Sequence, residues 1–173
     1  MNDESDNPFL ADNTGALRGL DRGHVIPRSG RRRLSAEGGG QALVAGGIDP
    51  RVTFVATGVP AICDHSGRAA GRINGWPKLV PTGVNGEPDA VILQASRYVD
   101  AVNFASRCRA DAIMSVGFID AVCPPSSCYA AYSALQGSKQ IINEPLMGHA
   151  APQHIRDAFL AQIQTHVRKK HSE

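Results

Sequence analysis

Two residues of this chain stand where proteins built on parallel sheets do their chemistry. Asp120 follows the apolar stretch Ala112-Ile113-Met114-Ser115-Val116-Gly117, inside Phe118-Ile119-Asp120-Ala121-Val122-Cys123-Pro124-Pro125. His149 follows Gln140-Ile141-Ile142-Asn143-Glu144, inside Pro145-Leu146-Met147-Gly148-His149. A carboxylate and an imidazole in that order are two members of a nucleophile–acid–histidine triad. In such a triad the histidine takes the proton of a nucleophilic hydroxyl, and the acid fixes the imidazole tautomer and stabilises the imidazolium. Each residue alone has a plainer reading. An Asp after a strand also serves as a turn or helix cap, and a lone His is also a structural side chain.

The elements that must position this pair are legible from hydrophobic periodicity. Val52 to Thr57 is a β-branched run with turn signals on both sides and reads as a buried strand. Residues 112–117 and 140–144 read as a second and a third strand. Gly38-Gly39-Gly40-Gln41-Ala42-Leu43-Val44-Ala45 is small and apolar, which suits a helix packed tightly on a sheet, ended by Asp49-Pro50. Ala90 to Phe104 reads as one or two short helices, and Pro124-Pro125 opens a helix to about Leu135. Ile155, Phe159, Ile163 and Val167 form a stripe on a last helix, which ends on Arg168, Lys169 and Lys170. Strands alternating with helices imply an α/β fold, a parallel sheet with flanking helices. In open parallel sheets function sits at the C-terminal ends of the strands, which is where Asp120 and His149 fall. Residues 58–90, rich in Gly and Pro, form a long irregular excursion of the kind that covers a site or an interface.

Composition sets the limits. At 173 residues, 42% apolar and 20% charged, the chain fits one soluble globular domain. It has no apolar run long enough for a membrane span. A net charge of +2 is too small to argue for nucleic acid. The start, Met1-Asn2-Asp3-Glu4-Ser5-Asp6, lacks the basic and then apolar stretches of an export signal. The chain as given therefore reads as cytoplasmic, with an export signal lost from the N-terminus as the alternative. Cys63, Cys108, Cys123 and Cys128 lack zinc-knuckle spacing and read as small apolar residues. His65 within Cys63-Asp64-His65 has no second cluster to complete a metal site and reads as structural. No metal and no cofactor are expected. Residues 1–34 hold few apolar residues and the run Arg28-Ser29-Gly30-Arg31-Arg32-Arg33, and read as irregular or disordered.

Several of these segments together resemble one family. Ser115 to Ser126 is similar to the acid-bearing segment of acetyl xylan esterases and cephalosporin C deacetylases, which are α/β-hydrolases. Tyr98-Val99-Asp100-Ala101-Val102-Asn103-Phe104-Ala105 resembles the segment leading into that strand, and Gly148-His149 resembles the histidine loop. Gly38-Gly39 to Leu43, followed by Asp49-Pro50-Arg51-Val52, resembles the helix and turn after the nucleophile. The resemblance runs from about Ala36 to the last helix. It implies Asp120 as triad acid and His149 as triad base, acting on acetyl esters of sugars or similar small molecules. It also implies that residues 35–173 are the C-terminal portion of an α/β-hydrolase domain whose first strands are missing here. Assembly into a homo-oligomer is left open.

The chain departs from the family at the nucleophile. The family has Gly-x-Ser-Gln-Gly-Gly before this helix. Alignment on Gly38-Gly39 puts Leu34 at the first glycine, Ala36 at the serine and Glu37 at the glutamine. Alanine has no nucleophile. Ser35 is adjacent but poorly placed, because the strained elbow tolerates only tiny residues two positions to either side. Those positions would be Arg33 and Glu37. The family chemistry is therefore expected to be impaired, and a non-catalytic hydrolase-fold fragment or oligomerisation module is the alternative. A remote third reading is a metal-dependent nuclease, from Asp21-Arg22-Gly23-His24.

Overall fold

The computed structural model describes residues 24–27, 34–35 and 38–171. Three strands run parallel at its centre: β3 (Val52–Gly58), β4 (Asp111–Gly117) and β5 (Lys139–Glu144). Helix α1 (Gly39–Ile48) precedes β3, and α2 (Ala90–Ser96) and α3 (Ala101–Ala105) precede β4. Helix α4 (Pro125–Ala134) joins β4 to β5, and α5 (Gln153–His171) follows β5. The fold is α/β, a three-stranded parallel sheet with helices on both faces.

Residue alternation along β3 divides the core. Val55 faces α1 and packs with Leu43, Met114, Val116, Ala105 and Cys128. Phe54 and Ala56 face the other way and pack with Ile113, Ile155 and Phe159 of α5. Burying a side chain of this size stabilises the fold by roughly 1.5–3 kcal/mol. The expected α5 stripe holds at Ile155, Phe159 and Ile163 but not at Val167, which is 37% exposed. Steps of four residues overshoot the 3.6-residue turn, so Val167 lies about 120° around the helix from Ile155 and His166 only about 20°. The buried position is taken by His166, whose ring lies 5.0 Å from that of Phe54.

Two further strands lie in the segment expected to be irregular. β1 (His24–Pro27) pairs antiparallel with β3, and β2 (Leu34–Ser35) pairs antiparallel with β1. The sheet order is β2-β1-β3-β4-β5. The sequence signal for β1 is only Val25-Ile26, too short to register as a period, and Pro27 reads as a strand breaker. In the structure Pro27 falls where the β1–β3 register shifts, the place a strand tolerates proline. The arginine run 28–33 lies outside the described residues.

Glycines let α1 approach the sheet. A Cβ on Gly39 would collide with Thr57, Gly58 and Pro60, and one on Gly40 with Ala61 and Ile62. Gly38, the N-cap, has φ 115°, a region that residues with a Cβ rarely adopt. At the far end of the molecule the Lys139 ammonium donates to the carbonyls of Tyr132, Ser133 and Leu135 at 2.9–3.0 Å. Its three donors thus satisfy the open C-terminus of α4.

The four cysteines are free and buried. Burial pushes their thiols up, Cys123 to about 12 and Cys63 well above the usual range. All four are thus protonated and unreactive at neutral pH. Iodoacetamide at pH 8 is expected to leave the folded chain unmodified and to alkylate four thiols after denaturation. Fast alkylation of any one in the folded chain contradicts this packing.

Candidate active site

The loops after β4 and β5 are joined through their backbones. Phe118 N donates to Glu144 O at 3.0 Å, Met147 N to Glu144 O at 3.2 Å, and Ile119 N to Met147 O at 3.2 Å. Gly117 makes this approach possible, because a Cβ there would press on the carbonyl oxygens of Met147 and Gly148. Gly117→Ala must therefore displace the loop carrying His149. An overpacking loss of about 1–3 kcal/mol is expected in a denaturant titration, together with shifted His149 ring resonances. Unchanged stability and resonances would show that the loop yields freely.

This junction sets Asp120 beside His149. Nδ1 of His149 donates to Asp120 Oδ2 at 2.9 Å. The Asp120 side chain is fully buried and that of His149 is 38% exposed. The other carboxylate oxygen, Oδ1, accepts from the amides of Val122 and Cys123, both at 2.8 Å. The acid therefore cannot turn away without abandoning two backbone donors. With Nδ1–H committed to the acid, Nε2 carries the lone pair, and it makes no hydrogen bond among the described residues. An imidazole fixed this way is arranged to accept a proton.

The excursion between β3 and α2 leans on the same loop. Trp76 N donates to Val122 O at 2.8 Å, and Ile62 N donates to Trp76 O at 3.1 Å. Buried Asp100 anchors its start, accepting from the amides of Asp64 and His65 at 3.0 and 2.8 Å while also capping α3 through Val102 N. The positioning role of Asp100 was not read from the sequence. Its signal was an N-cap acid directly before Ala101-Val102. His65 is buried with Nε2 unpartnered, and burial lowers its pKa despite the nearby Asp100 and Asp64, so it is a neutral interior ring. Val59, at the exit of β3, has φ 38°. A β-branched residue there is strained, by roughly 1–3 kcal/mol.

The remaining sequence candidates are less fully placed. Ser35 ends β2, its backbone opposite His24. Ala36 and Glu37 lie outside the described residues, as do Asp21, Arg22 and Gly23 of the nuclease-like run. Among the described residues no group of three or more His, Cys, Asp or Glu side chains is arranged to hold a metal ion. None of the described helices is long and apolar enough to cross a membrane.

The family model for acetyl xylan esterase (AXE1) matches residues 31–166. The chain belongs to the acetyl xylan esterase family. It is 29% identical over 152 residues to the acetyl esterase Axe7A of Xylanibacter ruminicola, a match covering 85% of this chain and 34% of that protein. Its fold is similar to the acetyl xylan esterase from Paenibacillus sp. R4, with a TM-score of 0.62 and 26% identity. It is also similar to acetyl xylan esterase 1 from Thermoanaerobacterium sp. JW/SL YS485, with a TM-score of 0.61 and 25% identity. Each structural match covers 73% of this chain and 42% of the relative. The chain thus spans about a third of the curated acetyl esterase and about two fifths of each solved acetyl xylan esterase. The match to the acetyl xylan esterase family begins at residue 31, ahead of Ala36. Residues 34–37 are therefore inside the matched span.

Proposed function

We propose that residues 35–173 are the C-terminal part of a carboxyl-ester hydrolase domain of the acetyl-esterase type, with Asp120 as the acid and His149 as the base. The observation that carries this reading is the 2.9 Å bond from His149 Nδ1 to an Asp120 carboxylate already held by two amides. In ester hydrolysis His149 Nε2 takes the proton of an attacking hydroxyl and later returns it to the leaving alcohol. Asp120 keeps the ring in the required tautomer. The exposed apolar side chains Phe118, Ile119 and Leu146, on the loops that carry the pair, suit a small acyl ester. Relatives named as acetyl esterases and acetyl xylan esterases support acetylated sugars or similar small esters as the substrate class. Ala36 stands where the serine would be. In the chain as it stands the pair therefore lacks its nucleophile, and the reaction is impaired.

A fluorophosphonate probe tests this. The unmodified chain should take no label. A chain joined at Glu37 to the upstream part of a relative ending in Gly-x-Ser should take one label per chain at the new serine. His149→Ala in that background should abolish it. Labelling of Ser35 in the unmodified chain, or labelling of the joined chain without His149, overturns the assignment.

A further inference from the structure

The N-terminal edge of the parallel strands, opposite Asp120 and His149, holds a cavity of about 460 Å³. It is lined by Arg107, Arg109 and Lys170, by Thr53, His166 and Asp111, and by the end of α1. Its volume lies in the range of small-molecule pockets, roughly 300–1,000 Å³. The sequence had pointed to the basic end of α5, but to nothing at this edge.

The charge balance of the cavity is one-sided. Asp111 is the single carboxylate in the lining, against three cations. That carboxylate is engaged, with His166 Nδ1 at 3.3 Å, while His166 Nε2 is 3.0 Å from the Thr53 hydroxyl. The C-termini of α1 and α5 open here as well and bring about half a negative unit each. Lys170, in the last turn of α5, already offsets its own helix end. Arg107 and Arg109 remain. They flank the fully buried Cys108, at the turn that follows α3. Both are exposed, both line the cavity, and neither guanidinium makes an ion pair or hydrogen bond among the described residues. Two more cavities adjoin the first through Arg107, and Arg109 lines one of them too.

Two unpaired guanidinium groups on the wall of one cavity match oxyanions. Their planar forks bind carboxylate or phosphate through two parallel bonds. We propose that this cavity binds a small molecule bearing an oxyanion, a phosphorylated sugar or a uronic acid, with Arg107 and Arg109 holding the anionic group. The Thr53 hydroxyl and the His166 ring form the polar wall beside it. The site is separate from the Asp120–His149 pair, and occupancy does not depend on the catalytic reading.

Titration of the full chain at fixed pH and ionic strength tests this, with calorimetry and the His166 ring resonances as readouts. The probes are inorganic phosphate, glucose 6-phosphate, glucuronate and, as the neutral control, glucose. Saturable binding of an anionic probe that shifts His166, with no response to glucose, is the expected result. Tighter binding of the phosphate or of the carboxylate probe identifies the source. Arg107→Gln with Arg109→Gln should weaken binding at least about tenfold, the loss expected for charge-assisted bonds. Lys78→Gln, equal in charge change per site and outside the cavity, should leave binding unchanged. Both arginines are exposed, so the double variant should fold. No saturable response to any anion, or equal affinity in the double variant, overturns the proposal.

Discussion

Hydrolysis of 4-nitrophenyl acetate by this chain is expected to stay close to the buffer rate. Joining it at Glu37 to an upstream half ending in Gly-x-Ser is expected to raise the rate by up to about 10⁶-fold. The size follows from the chemistry. Removing the serine of a triad costs about 10⁶ in kcat, because the histidine and acid have nothing to activate. Position 36 is alanine, so on the proposed reading the Asp120–His149 pair has no nucleophilic hydroxyl to activate. Ala36→Ser alone should restore little. On the same reading Leu34 falls at the elbow's first glycine, where a strained turn admits only the smallest residues. An oxyanion donor from the loop of an earlier strand is also needed, and losing one such donor costs about 10²–10³. The decisive measurement is initial rate for three proteins: the unmodified chain, Ala36→Ser and the joined chain. Robust hydrolysis by the unmodified chain that disappears on Ser35→Ala would move the nucleophile to Ser35. Full recovery in Ala36→Ser would show that Leu34 does not obstruct the elbow.

The parts that could be read in advance are those where one physical signal dominates. Val52 to Thr57 and Ala112 to Gly117 are continuous apolar runs between turn residues, and both are strands buried on two faces. The glycines at 38–40 foretold a close helix, and the space at Gly39 and Gly40 shows why nothing larger fits. The meeting of Asp120 and His149 was legible because both follow strands of one parallel sheet, where few polar side chains stand. Other features depend on tertiary geometry that no local period encodes. His166 supplants Val167 because helical twist accumulates over three turns. β1 forms through pairing with β3, and four residues carry too little pattern to announce it. Asp100 ties loops 35 residues apart, a partnership that becomes apparent only when the excursion is seen folded back. The amides of Val122 and Cys123 that hold Asp120 are backbone groups, and side-chain identity says nothing about them.

Replacing the acid separates its two duties. Asp120→Ala is expected to destabilise the chain by about 3 kcal/mol, and Asp120→Asn by about 1 kcal/mol. The carboxylate accepts three hydrogen bonds from a fully buried position, two from amides and one from His149. Alanine removes every acceptor. The amide of buried Cys123 then lies away from water without a partner, while that of Val122, a residue 39% exposed, is partly rescued by solvent. Asparagine keeps a carbonyl oxygen in the place of Oδ1, so both amides stay bonded and the loop holds. Its NH₂ group, however, now meets His149 Nδ1. Two donors cannot share that contact, so the ring must present its lone pair at Nδ1 and its proton at Nε2. This is the wrong tautomer for a base, and an acid-to-amide change of this kind costs about 10⁴ in kcat in serine triads. Denaturant midpoints at constant m-value measure the first duty. Nitrogen chemical shifts of the His149 ring, and the rate of Asp120→Asn in the joined chain, measure the second. Equal destabilisation by alanine and asparagine would mean that the two amides contribute little to holding the acid. An unchanged His149 tautomer in Asp120→Asn would mean that Asp120 does not set the ring, and its assignment as the acid would fall.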